Sequence, residues 1–226
     1  TQWNQLGQDI DGESAGDESG YSVSLSADGS RVAIGARGND GYTGHVRVYE
    51  YDGTQWTQLG ADIDGEADGD YSGTSVSLSA DGSIVAIGGS WNDSNGNTNA
   101  GHVRVYQYDG STWTQLGQDI DGEAADDYSG GSVSLSADGS IVAIGAFSND
   151  GNGTSSGHVR VYEYDGTQWN QLGGDIDGEA ADDYSGGSVS LSNDGNRVAI
   201  GAPENDGNGD KSGHVRVYQY DGTTWN

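Results

Sequence analysis

Apolar and polar residues alternate with a period of two through most of this chain. Val23 and Leu25 alternate with Ser22, Ser24 and Ser26, Asp28-Gly29 interrupts, and Val32 and Ile34 resume. Period two is the signature of a half-buried strand, and Asp-Gly between two such runs marks a two-residue hairpin turn. That turn pairs Leu25 with Val32 and Val23 with Ile34. It leaves Ser24, Ala33 and Gly35 on the other face, where small side chains let a neighbouring sheet come close. The run His45 to Tyr51, then Asp52-Gly53, then Thr54 to Leu59 has the same form. A two-residue turn there pairs Tyr49 with Trp56 and Val46 with Leu59, both favourable cross-strand contacts. No segment has the 3.6-residue period of a helix.

The alternation itself recurs. Trp3, Trp56, Trp113, Trp169 and Trp225 open similar blocks, spaced 53 to 57 residues apart. Each block runs W-x-Q-L-G-x-D-I-D-G-E, then S-V-S-L-S, then V-A-I-G, then N-D, then G-H-V-R-V-Y. The repeats span approximately 1–53, 54–110, 111–166 and 167–222, and 223–226 begin the next strand. Length differences fall almost entirely between V-A-I-G and G-H-V-R-V-Y. That stretch is a loop, because a paired strand cannot absorb insertions without losing register. Each repeat is therefore predicted to be a four-stranded antiparallel meander, with strands A to D. Four such repeats predict an all-β fold, a β-propeller built of four-stranded blades. A β-solenoid has a shorter period and does not use two tight hairpins per turn. In an A-B-C-D meander the A–B and C–D turns lie at one end, and the B–C and D–A loops at the other.

Charge changes the picture of partners. The chain carries 36 acidic and 8 basic residues, a formal net charge of −28. That excludes nucleic acid and anionic membrane surfaces as expected partners. No apolar run is long enough to span a bilayer, so no membrane insertion is expected. There are no cysteines, hence no disulfide framework and no thiolate chemistry. Hydrophobic content is only 32%, yet the periodic strands and the 13 tyrosines and 6 tryptophans argue for a folded chain.

The order Ser-Gly-x-Ser-Val-Ser, Asp-Gly, Val-Ala-Ile-Gly-Ala and Gly-x-Val-x-Val-Tyr resembles the FG-GAP repeats of integrin-α-type propellers. The fourth copy carries it best, through Ser185-Gly186, Ser188-Val189-Ser190 and Gly201-Ala202-Pro203. Two features depart from that family. Serine replaces the phenylalanine of the Phe-Gly pair in all four copies. The family's calcium-binding insertion in the A–B hairpin is also missing, so calcium at that position is not expected. The resemblance implies an extracellular or cell-surface interaction module that meets ligands at its D–A and B–C loops.

Those loops hold the candidate chemistry. The D–A segments are acidic: Asp9, Asp11, Glu13 and Asp17; Asp62, Asp64, Glu66 and Asp70; Asp119, Asp121, Glu123 and Asp127; Asp175, Asp177, Glu179 and Asp183. Carboxylates clustered on turns suit Ca²⁺, which takes about 6–8 oxygen ligands, so one calcium site per D–A loop is expected. The competing reading has these aspartates capping turns, or pairing with the arginine of His-Val-Arg. The B–C loops contribute Asn39, Asp40 and Tyr42; Trp91, Asn92 and Asp93; Phe147, Asn149 and Asp150; and Asn205 and Asp206. Aromatic residues in polar loops suggest a platform for a sugar ring or a partner protein. His45, His102, His158 and His214 recur at one position of strand C. Equivalent positions of successive blades lie around a ring rather than together, so a structural role is expected for them. No phosphate loop or nucleophile–base arrangement stands out, and no enzyme is expected.

The leading expectation is an extracellular adhesion or recognition module for a protein or glycan. The alternatives are a purely structural or self-assembling repeat and a carbohydrate-binding propeller. Residues 1–10 and 223–226 both belong to D strands. A four-bladed ring in one chain, an eight-bladed ring of two chains, and a stretch of a longer array all remain open.

Overall fold

In the computed structural model, which describes residues 2–226, four antiparallel sheets form, one per repeat. The first holds β1 (Ser22–Leu25), β2 (Arg31–Ala36), β3 (His45–Tyr51) and β4 (Trp56–Gln58) in that order, with β5 (Ile63–Asp64) also paired to β3. The second holds β6 (Ser72–Leu78), β7 (Ile84–Gly89), β8 (His102–Tyr108), β9 (Trp113–Gln115) and β10 (Ile120–Asp121). The third holds β11 (Ser132–Leu135), β12 (Ile141–Ala146), β13 (His158–Tyr164), β14 (Trp169–Gln171) and β15 (Ile176–Asp177). The fourth holds β16 (Ser188–Leu191), β17 (Arg197–Ala202) and β18 (His214–Gln219), and a bridge from Tyr220 to Trp225 starts its next strand. The A-B-C-D meander is thus observed. Strand D is split in two, because Gly60 between β4 and β5 adopts a left-handed φ of 71°. Single helical turns at Asn39–Tyr42 and Ser94–Gly96 contain left-handed residues and are turns rather than helices.

The A–B hairpin has the predicted register, with Leu25 opposite Val32 and Val23 opposite Ile34. The C–D hairpin does not. Tyr51, not Tyr49, faces Trp56, and Val46 faces Ile63 rather than Leu59. The cause is the Asp52 carboxylate, which accepts the backbone N–H of Thr54 at 2.8 Å and of Gln55 at 2.9 Å. This locks a four-residue turn closed by Asp52 N–H to the Gln55 carbonyl at 3.1 Å. The aromatic pair survives the shift as Tyr51 and Trp56, with ring centroids 5.2 Å apart.

The core is divided into slabs between successive sheets. Ala33, Val46, Val48 and Ile63 of the first sheet pack on Val76, Leu78, Val85 and Ile87 of the second. The same exchange recurs between the second and third sheets and between the third and fourth. Polar contacts reinforce each slab. The serine hydroxyls of Ser22, Ser75 and Ser132 each donate to a glycine carbonyl of the next sheet at 2.7 Å. The indole N–H of Trp56, Trp113, Trp169 and Trp225 donates to the carbonyls of Leu6, Leu59, Leu116 and Leu172 at 2.8–2.9 Å. The expectation that the strand A serines serve the contact between sheets is met.

The segment before β1 lies against the first sheet as strand D of each repeat lies against the next. Leu6 accepts from Trp56, and Asp11 accepts from Arg47. Pairing of the opening segment with β18 is not formed among the described residues, and Thr1 lies outside them. Two apolar faces stay open. Val23 and Leu25 are 65% and 60% exposed on the first sheet, and Val215 and Val217 are 68% and 65% exposed on the fourth. The counterparts of Val215 and Val217, among them Val46, Val48, Val103 and Val105, are buried, and so are Val76, Leu78 and Leu135, which hold the places of Val23 and Leu25.

Candidate functional site

The B–C and D–A loops share one rim and are stitched together by backbone. Gly44 and Ser72, Gly101 and Ser129, and Gly157 and Ser185 form parallel bridges from the start of each strand C to the entry of the next strand A. Tyr71 N–H donates to the Tyr42 carbonyl at 2.8 Å. The rim is therefore a continuous surface rather than a set of independent loops.

An aromatic row runs along it. Tyr42 stacks on Tyr71 at 4.9 Å, Tyr71 meets Trp91 at 5.3 Å, and Trp91 meets Tyr128 at 5.1 Å. Tyr128 then stacks on Phe147 at 5.6 Å, and Phe147 reaches Tyr184 at 6.4 Å. Tyr42 and Trp91 are exposed, and the other members are half-buried. The sequence-predicted Tyr42, Trp91 and Phe147 thus come together, through tyrosines that the loop pattern did not single out. Tyr71, Tyr128 and Tyr184 belong to a repeated Asp-Tyr-Ser-Gly, which was the available signal. All three adopt left-handed backbone, with φ of 55°, 53° and 52°. Such strain is uncommon for a bulky residue and collects at functional sites. In the first repeat Glu18 takes the equivalent place at φ 54° and pairs with Arg37 at 2.7 Å. Arg37 in turn lies over the Tyr21 ring at 3.5 Å.

Shallow clefts follow the row. One of 630 Å³ is lined by Asp17, Asn39, Asp40 and Tyr42. Another of 520 Å³ is lined by Asp68, Tyr71, Trp91, Asn92 and Asp93. A third of 320 Å³ is lined by Tyr184, Glu204, Asp206 and Lys211.

The acidic residues of one D–A segment have separate roles. Asp17, Asp70, Asp127 and Asp183 are buried and accept the backbone N–H three residues earlier at 2.8–3.0 Å. Asp127 and Asp183 also accept from Asn149 and Asn205 at 3.0 and 2.9 Å. Asp9, Asp62, Asp119 and Asp175 accept from the glutamine four residues before, at 2.6–2.8 Å. Asp11, Asp64, Asp121 and Asp177 offer their backbone carbonyls to Arg47, Arg104, Arg160 and Arg216 at 2.6–2.8 Å. The turn-capping reading of several aspartates is therefore realised. The expected pairing of an aspartate with the arginine is made through the aspartate's carbonyl, and the carboxylate that meets each arginine, at 3.4–3.7 Å, is that of the glutamate two residues on. Among the described residues, no three acidic groups of a single D–A segment converge on one point. In the B–C loops the carboxylates of Asp93, Asp150 and Asp206 accept backbone N–H groups at 2.7–2.9 Å, and Asn92 accepts from Ser94 at 2.7 Å.

The acidic groups that do converge come from different repeats and meet at the strand C histidines. Glu13, His45 and Asp62 form one group, Glu66, His102 and Asp119 a second, and Glu123, His158 and Asp175 a third. The nearby arginine lies 3.4–3.7 Å from the glutamate of each. Burial, and then the neighbouring Arg104 or Arg160 charge, hold the imidazoles of His102 and His158 below their ordinary pKa. Burial pushes the Glu66 carboxyl up.

Comparison with known proteins agrees with this architecture. Residues 176–218 match the family model of the FG-GAP repeat. That stretch lies within the fourth copy and contains Ser185-Gly186 and Gly201-Ala202-Pro203. No curated protein matches the chain. Among solved structures, hydrazine synthase of Kuenenia stuttgartiensis aligns with a TM-score of 0.58 at 12% identity, over 96% of this chain and 49% of that one. A Bacteroides uniformis protein assigned as a 6-phosphogluconolactonase aligns with a TM-score of 0.59 at 11% identity, over 91% and 52%. The GH74 enzyme of Niastella koreensis aligns with a TM-score of 0.53 at 13% identity, over 91% and 23%. This chain spans about half or less of the length of each, and likeness at such identity concerns the fold alone. Among the described residues, no helix is long and apolar enough to cross a membrane.

Proposed function

We propose that this chain is an extracellular recognition module, a β-propeller or a segment of one, that holds a protein or glycan on its acidic rim. The FG-GAP match and the solved-structure likenesses support the propeller reading. The aromatic row from Tyr42 to Tyr184 carries the binding reading. Flat, rigid rings offer large contact area at little entropic cost, and such residues dominate binding energy at interfaces. Aspartates and asparagines beside the rings supply hydrogen bonds that would orient a sugar or a polar peptide. No catalytic role is proposed for any residue.

The test is binding of the chain to a glycan array and to intact cell surfaces, compared with Trp91→Ala. Trp91 is exposed, so its removal leaves the fold in place. A central aromatic contact is worth about 2 kcal/mol, or roughly a 30-fold loss of affinity. Blank results on both surfaces, or binding that Trp91→Ala leaves unchanged, would sink the recognition reading. A self-assembling repeat is the second reading. It is favoured by the exposed Val23, Leu25, Val215 and Val217, whose counterparts between neighbouring sheets are buried or partly buried.

A further inference from the structure

Three of the four strand C histidines are buried and, among the described residues, form no hydrogen bond. His45, His102 and His158 are each 1% exposed. The buried imidazole nitrogen without a partner is Nε2 in His45 and His158, and in His102 it is Nδ1, the one facing Glu66. Polar atoms removed from water this way are destabilising unless something completes their bonding. In all three rings Nδ1 faces carboxylate. His45 Nδ1 lies 3.8 Å from Asp62 Oδ2, His102 Nδ1 lies 3.8 Å from Glu66 Oε2, and His158 Nδ1 lies 3.9 Å from Glu123 Oε2. These separations are too long for hydrogen bonds. They are close to the ~3.3 Å between two ligands held about 2.0–2.1 Å from one tetrahedral ion. In each group the three ligand atoms lie within 4.8 Å of one another.

We propose that each histidine–glutamate–aspartate group binds one divalent transition-metal ion of the zinc class. One nitrogen and two carboxylate oxygens would be the protein ligands, with a coordination position left for water. Zinc accepts this mixed donor set readily. Calcium does not suit it, because it takes only oxygen and about twice as many ligands. Each carboxylate is already oriented by its other oxygen. Gln58 donates to Asp62 Oδ1 at 2.6 Å and Gln115 to Asp119 Oδ1 at 2.6 Å. Arg104 holds Glu66 Oε1 at 3.7 Å and Arg160 holds Glu123 Oε1 at 3.4 Å, so Oε2 is left for the ring. Partners of this kind fix ligand orientation in metal sites generally. Glu66 and Glu123 follow the last strands of the first and second sheets while their histidine and aspartate partners belong to the next sheet, so those two ions would tie adjacent sheets together, and the one at Glu13 would tie the opening segment to the first sheet. His214 has Glu179 at 3.7 Å but belongs to no group of three among the described residues, and it serves as an internal control.

Metal at these groups would be held whether or not a partner sits on the aromatic row. The test is equilibrium dialysis of the chelator-stripped chain against zinc chloride, with bound metal counted by elemental analysis. Imidazole nitrogen NMR of the unmutated chain reads the same event without relying on a variant that folds. Three zinc ions per chain and shifts in three of the four histidine rings are expected. His45→Gln, His102→Gln and His158→Gln should each remove one ion, and His214→Gln none. Millimolar calcium should not displace the zinc. Zinc taken up with all four rings unmoved, uptake identical in all four variants, or displacement by calcium would each overturn the assignment.

Discussion

The residues that organise the turns are single aspartates with crowded carboxylates. Asp28 accepts the Ser30 N–H at 2.9 Å, the Ser30 hydroxyl at 2.7 Å and the Ser26 hydroxyl at 2.8 Å. These bonds favour the charged form and lower its pKa to about 2. Asp109 is lowered to about 2 as well, first by the Thr112 and Ser111 backbone N–H groups. A carboxyl depressed in the folded state stabilises it above the unfolded pKa and ceases to do so as pH falls through the folded value. The stabilisation from Asp28 and Asp109 is therefore present above about pH 4 and is lost toward about pH 2. Melting temperatures recorded across that window should fall more steeply for the parent chain than for the Asp28→Asn, Asp109→Asn double variant. Equal slopes would show that these turns are not set by ionised carboxylates.

At the scale of the element, the closest approach between sheets is backbone to backbone. A Cβ added at Gly35, Gly88 or Gly145 would collide with the carbonyl of Gly73, Gly130 or Gly186 on the next sheet. Gly201 holds the same place in the fourth sheet but meets only the movable Ser188 side chain. Gly145→Ala should destabilise by about 1–3 kcal/mol as forced overpacking, and Gly201→Ala by clearly less. Urea unfolding midpoints of the two variants measure the difference, and equal shifts would refute the close approach. Much at this scale was legible beforehand. The Ser-Val-Ser-Leu alternation and the Asp28-Gly29 turn gave the A–B register, because strand pairing across a short turn is local. The C–D register was missed because the Asp52 side chain enlarges the turn, which residue types alone do not reveal. The groupings at the rim and at His45 were hidden for a different reason. Tyr71 meets Tyr42 and Trp91 meets Tyr128 across repeats, and Glu13 meets Asp62 from the neighbouring repeat, so only the packing of sheets brings them together.

At the scale of the whole molecule, each sheet has two unlike faces. The face carrying Ala143, Val159 and Val161 packs on the Val198 and Ile200 face of the sheet that follows. The open Val215 and Val217 face corresponds to the first of these, and the open Val23 and Leu25 face to the second. A second copy can therefore dock head to tail, an arrangement that forms a ring if the rotation closes and a filament if it does not. The net charge of −28 opposes this contact, and physiological salt screens it beyond a Debye length of about 8 Å. Sedimentation at 0.15 M salt should show mass rising with concentration, while Val217→Asp stays monomeric. A parent chain that stays monomeric at every concentration would count against the self-assembling reading.

The repetition of that contact has a bearing on descent. Among the described residues, the principal contacts of each sheet are with its neighbours, and they are made at equivalent positions each time. An in-frame duplication or loss of one whole repeat would leave the remaining contacts as they were. A lineage carrying this sequence can thus change its copy number in single steps without first inventing a new interface. The four near-identical copies are what such a history would leave behind.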